Sequence, residues 1–200
     1  MLPSKVILID NGHGVETSGK RSPDGLFREY SWCREIAVRI VAELTKKGYA
    51  AFLLVKEQND VCLAERVKRA NAYCAMYGAS NVLLVSVHNN AAGSGKDWMS
   101  ARGWECWTSV GKTQSDKLAD YFYDSARVCF PLAKLRTDMS DGDMDKESNF
   151  YILKHSRCPA VLTENFFQDN KDDVAFLRSS AGKDAVVKCH VDAIIKYMNL

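Results

Sequence analysis

Val6-Ile7-Leu8-Ile9-Asp10-Asn11-Gly12-His13-Gly14 opens as an unbroken apolar run and turns polar over its last residues. Two later stretches repeat the design: Val82-Leu83-Leu84-Val85-Ser86-Val87-His88-Asn89-Asn90 and Pro159-Ala160-Val161-Leu162-Thr163-Glu164-Asn165. Compact apolar runs with β-branched residues are the pattern of strands covered on both faces. Parallel strands of an α/β sheet end along one edge, and ligands bind in the crevice outside those carboxyl ends. His13, His88 and Glu164, far apart in the chain, are therefore expected at one rim.

Outward from these strands, the spacing predicts a helix from about Arg28 to Lys47, with Trp32, Ile36, Ile40 and Leu44 stepping by four. Lys46-Lys47-Gly48 supplies its stop. Glu29 shares the inward face in the first turn, and a carboxylate there is costly unless something positive meets it. Ala50 to Val55 reads as a strand. Asp60 is expected to cap a helix through Tyr77, with Leu63, Val67, Ala70 and Cys74 inward. The second half of Trp98 to Trp107 reads as a strand, and Ser115 opens another helix. Pro131 to Glu147 reads as a long loop, Phe150 to Leu153 as a short strand, and a final helix runs from about Ala181 to Met198. This alternation predicts an α/β three-layer sandwich, a mostly parallel sheet of roughly six strands flanked by helices. Without repeats, linkers or low-complexity segments, residues 1–200 are expected to form a single domain.

The chain carries 46% hydrophobic and 26% charged residues and a formal charge of +2. That balance argues against a dedicated nucleic-acid binder. Its seven cysteines are an odd number, form no Cys-x-x-Cys pair and mostly fall in apolar segments. They fit a reducing compartment at synthesis rather than a disulfide framework or a zinc knuckle. No stretch approaches the roughly 20 apolar residues of a membrane span. The start shows no basic segment followed by a long apolar one, so either the protein lacks an export signal or the chain has been trimmed.

Taken singly, the polar residues have plain readings. His13 between glycines fits a turn, His88 a satisfied core histidine, and Glu29 a carboxylate favoured at a helix start. Together they are more specific. Two neutral imidazoles and a carboxylate make a catalytic zinc set with a fourth position left for water. A second carboxylate beside that water can take its proton. Glu29 fits the ligand and Glu164 the base.

These motifs resemble the catalytic domain of zinc-dependent N-acetylmuramoyl-L-alanine amidases, the type found in cell-wall autolysins, sporulation hydrolases and phage endolysins. The resemblance runs over nearly the whole chain. It is carried by Asp10-Asn11-Gly12-His13-Gly14, Arg28-Glu29-Tyr30, Ser86-Val87-His88-Asn89-Asn90 and Glu164-Asn165-Phe166-Phe167-Gln168-Asp169-Asn170, with Arg66 and Asn71 echoing a helix motif. It implies Zn2+ on His13, Glu29 and His88, Glu164 as general base and then acid, and peptidoglycan as substrate, cut between the lactyl group of N-acetylmuramic acid and L-alanine. Asn165 stands where the family usually has glycine, and asparagine is among the few residues that tolerate unusual backbone angles.

Rival expectations are another zinc peptidase or deacetylase with the same ligands, and a wall-binding module that has lost catalysis. Asn89, Asn90, Arg136 and His155 are the candidate substrate contacts, although a solvent-exposed His155 is the plainer reading. The acidic run Asp138 to Asp145 fails as an EF-hand, because Thr137 and Met139 fall where ligands belong. Trp98, Trp104 and Trp107 can stack on sugars, with core packing favoured for at least two. Muropeptides are the expected partners of a chain acting as a monomer. Accumulation in the cytoplasm with phage-type release, or secretion before trimming, is the expected route to the wall.

Overall fold

The computed structural model describes residues 5–199. β1 (Val6–Asn11), β2 (Ala51–Leu53), β3 (Val82–Asn90), β4 (Glu105–Thr108), β5 (Lys146–Glu147) and β6 (Ala160–Phe167) form one sheet in the order β2-β1-β3-β6-β4-β5. β2, β1, β3 and β6 run parallel, and β4 is antiparallel to β6. The helices are α1 (Glu29–Lys46), α2 (Leu63–Tyr77), α3 (Gln114–Cys129), α4 (Tyr151–His155), α5 (Lys171–Arg178) and α6 (Ser180–Met198).

The apolar runs are buried on both faces, as their composition requires, and strand alternation divides them between two cores. Ile7, Ile9, Leu83, Val85, Val87 and Val161 pack with residues of α1, α3, α5 and α6. Val6, Leu8, Val82, Leu84, Ala160 and Leu162 pack with residues of α2 and α4. Continuing the second parity carries Asp10, Ser86, His88 and Glu164 onto the α2/α4 side at the carboxyl edge. His88 and Glu164 are paired across β3 and β6, and Asp10 and Ser86 across β1 and β3.

Several local expectations change. Phe150 to Leu153 is not a strand: Ile152 and Leu153 are both buried while Tyr151 and Lys154 are exposed, a pattern that fits a helical turn and not strand alternation. Asp60 does not cap α2, whose N-cap is Cys62 without a side-chain hydrogen bond; Asp60 instead pairs with Arg66. Leu63 is exposed rather than inward. The long loop before α4 contains the edge strand β5, and α5 lies in a stretch given no element from sequence. The unusual backbone angle expected of Asn165 falls on Phe166, at φ 64°, beside the register shift between β3 and β6. Asn165 serves by its side chain, which donates to the carbonyls of His88 and Thr163 and accepts from the Trp104 indole.

Candidate metal centre

Glu29 opens α1 with its side chain wholly buried. Its Oε1 lies 3.3 Å from His13 Nε2 and 3.2 Å from His88 Nδ1. One suitable donor atom from each of the three residues falls within 4.8 Å of the others. The remaining contacts orient the carboxylate: the Asn89 amide N–H donates to Oε1 at 3.0 Å, and the Gln168 side chain donates to Oε2 at 2.9 Å. Burial alone would raise the Glu29 pKa, but the two histidines outweigh it and hold the carboxyl far below its usual range. Burial likewise works against charge on His88, and the Glu29 hydrogen bond and charge override it, raising the histidine.

The glycines flanking His13 are required by close approach. A Cβ on Gly12 would stand 2.5 Å from the His88 ring, and one on Gly14 would stand 2.0 Å from the Asp60 backbone nitrogen. His13 itself holds φ 61°, a left-handed backbone uncommon for a residue with a side chain and of the kind that collects at functional sites. Buried Arg66 braces this turn, reaching Asp10 at 2.8 Å, the Asn11 carbonyl at 2.6 Å and the His13 carbonyl at 3.3 Å. Ser86 closes the network by donating to the other Asp10 oxygen at 2.5 Å. Asn71 ties α2 to the end of α4 by donating to the His155 carbonyl.

Glu164 lines a cavity of about 500 Å³ with His13, His88, Lys20, Tyr151, Ile152 and Leu162. Its Oε2 is buried without a partner. Burial pushes its pKa up to about 8; the His88 charge opposes the rise, and Glu29 and Glu105 add to it. Glu105, given no role from sequence, sits opposite Glu164 across β4 and β6. It is buried and receives Arg136 at 2.7 Å, Lys146 at 3.2 Å, Asn90 at 2.7 Å and the Trp107 indole at 3.0 Å.

The structure thus brings His13, Glu29, His88 and Glu164 to one place and spreads the other candidates around them. The Asn89 side chain is buried and donates to the Asn165 carbonyl, away from the cavity. Asn90 and Arg136 are bound to Glu105, with the Arg136 guanidinium also over the Phe167 ring. His155 is exposed against Tyr151 and is absent from the cavity wall. Trp104 is core, whereas Trp98 and Trp107 are half-buried. Gln168 and Glu105 went unassigned because nothing in a single sequence marks a side chain that acts on another through folding. A charged residue inside the apolar run Trp104-Glu105-Cys106-Trp107 was the one available sign.

The profile of one protein family, described as N-acetylmuramoyl-L-alanine amidase, matches residues 7–196. The chain belongs to the N-acetylmuramoyl-L-alanine amidase family. Among curated relatives, the endolysin of Bacillus phage SPP1 is 30% identical over 200 residues, covering 98% of this chain and 67% of the endolysin. The amidase LytC of Bacillus subtilis strain 168 is 28% identical over 196 residues, covering 96% of this chain but 35% of LytC. The catalytic domain of CwlV from Bacillus (Paenibacillus) polymyxa var. colistinus superposes with a TM-score of 0.81 at 22% identity, covering 98% of both chains. The amidase fold is therefore shared, including the mostly parallel sheet. Membership makes the chain a hydrolase of the amide between N-acetylmuramic acid and L-alanine, with the bacterial wall as its place of action. Among the described residues, no helix is long and apolar enough to cross a membrane.

Proposed function

We propose that residues 1–200 act as one catalytic domain, a monomer, in which His13, Glu29 and His88 hold a zinc ion and Glu164 moves the proton in cleavage of the lactyl–L-alanine amide. The observation that carries this is the convergence of two imidazole nitrogens and one carboxylate oxygen within 4.8 Å, with Glu164 register-paired to one of the histidines. The donor set suits zinc, which takes three such ligands in catalytic sites and leaves a fourth position open. When bound, zinc lowers the pKa of water and polarises a substrate carbonyl.

The chain's own residues supply the rest. Gln168 and the Asn89 N–H hold Glu29 in one orientation, the outer support that metal ligands commonly need. Glu164 Oε2, free of protein partners, accepts a proton from the attacking water and delivers it to the departing alanine nitrogen. The experiment is mass spectrometry of muropeptides incubated with the zinc-loaded protein, with and without EDTA. Zinc-dependent release of a peptide with a free L-alanine amine is expected. Intact muropeptides at verified zinc occupancy would remove the reading, and a different cleaved bond would favour a peptidase or deacetylase.

A further inference from the structure

Lys20 stands in the loop between β1 and α1 and lines the same cavity as His13, His88 and Glu164. It is half-buried, and its charge is among those acting on Glu164. The other cation of this cavity wall, Arg66, is committed to Asp10 and Asp60. Among the described residues no ion pair includes Lys20. An ammonium that lines a cavity without an ion-pair partner is placed to meet an anionic ligand through a charge-assisted hydrogen bond.

The loop is held firmly enough to aim the side chain. The Lys20 carbonyl accepts the Glu29 N–H at 3.1 Å, and Ser22 and Phe27 are joined at 2.9 Å through the backbone. Arg21 and Arg28 form a bridge. From the other side Gly95 packs so closely that a Cβ there would come within 3.3 Å of the Gly19 carbonyl.

The cavity also has an apolar lining, to which Val61, Leu63, Phe150, Tyr151, Ile152 and Leu162 contribute. A volume of about 500 Å³ suits a small piece of substrate rather than an extended chain. A glycan continues on both sides of its muramic acid and needs an open-ended groove, whereas a stem peptide ends. The free carboxylate nearest the scissile amide belongs to the second stem residue, a glutamate linked through its side chain. We propose that Lys20 is a specificity residue that binds this α-carboxylate, while the apolar wall receives the aliphatic part of the stem. The proposal rests on the amidase reading of the site.

The test compares two synthetic muramoyl peptides that differ only in whether the second residue carries a free α-carboxylate or its amide. Zinc-loaded wild type and the K20M and K20R variants are assayed for kcat and KM on each. Wild type is expected to favour the free acid by about tenfold in kcat/KM, chiefly through KM, as one charge-assisted hydrogen bond allows. K20R keeps the preference and K20M brings the ratio of the two substrates near one. Equal rates for wild type on both substrates, or a K20M variant that is slowed on both while keeping the preference, overturns the assignment. Wild type that releases an alanine amine from neither substrate overturns the amidase reading as well, so the two failures are distinguishable.

Discussion

In the proposed mechanism, turnover and metal binding separate at Glu164. Replacing it with glutamine keeps its shape and removes its basicity, so E164Q should lose at least about a hundredfold in kcat while its zinc content, measured by atomic absorption, stays near one. H88A should lose both, because His88 supplies one of the three converging donors. Gln168 makes a finer case. Its amide donates to the Glu29 oxygen that faces away from the histidines, so Q168A should weaken zinc affinity by roughly 10–100-fold. Competition with a chromophoric chelator measures it, and an unchanged affinity would show that Asn89 alone suffices to orient Glu29. Of these residues, sequence alone singled out His13, Glu29, His88 and Glu164, because each carries chemistry at a recognisable strand or helix end. Gln168 carries none by itself, and only its proximity to Glu29 gives it a role.

Arg66 shows how an element is held in place. It is almost wholly buried and joins the first turns of α2 to the end of β1 through Asp10, the Asn11 carbonyl and the His13 carbonyl. Removing its charge leaves Asp10 buried with Ser86 as a partner and no cation. R66M should therefore cost about 3–5 kcal/mol in urea unfolding of the zinc-free protein, and should also weaken zinc binding by loosening the His13 turn. Helix periodicity placed α1 and α2 within a residue or three of their observed starts, since stripes such as Trp32, Ile36, Ile40 and Leu44 are local signals. Phe150 to Leu153 reads as a strand for the same reason. Four consecutive apolar or aromatic residues fit a strand as well as a helical turn, and only the packing of Ile152 and Leu153 beside α2 and β6 decides between them. β5 and α5 escaped notice because two residues of edge strand and a mostly polar short helix leave no periodic trace.

At the scale of the whole molecule, His190 links stability to pH. It lies wholly buried in α6, with Nδ1 at 2.8 Å from the Val186 carbonyl and Nε2 at 2.9 Å from Thr163 Oγ1, and its ring meets Phe122 edge-on. Burial lowers its pKa from 6.5 to about 4. The unfolded chain therefore takes up a proton at a pH where the folded one refuses it. The stabilisation is complete above pH 6.5 and is lost as pH falls towards 4, amounting to about 3 kcal/mol at most. Urea midpoints measured at pH 7 and pH 4.5 should show this fall in the wild type, and H190N should flatten that part of the profile. A wild-type midpoint unchanged over the window would mean that the ring is hydrated or charged in the folded state.

The sequence by itself determined the layered α/β class, the positions of its main strands along the chain and the residue types that end them, because burial and periodicity are written in neighbouring residues. It also determined that His13, His88 and Glu164 should share an edge, since parallel strands end together. What only the tertiary structure decided is distance and partnership. Donor atoms from the β1 turn, the start of α1 and the end of β3 fall within 4.8 Å of one another, Glu105 lies opposite Glu164, and Lys20 faces the cavity unpaired. Each of these depends on contacts between segments tens of residues apart, and their relative placement is set by how the two cores pack against the sheet.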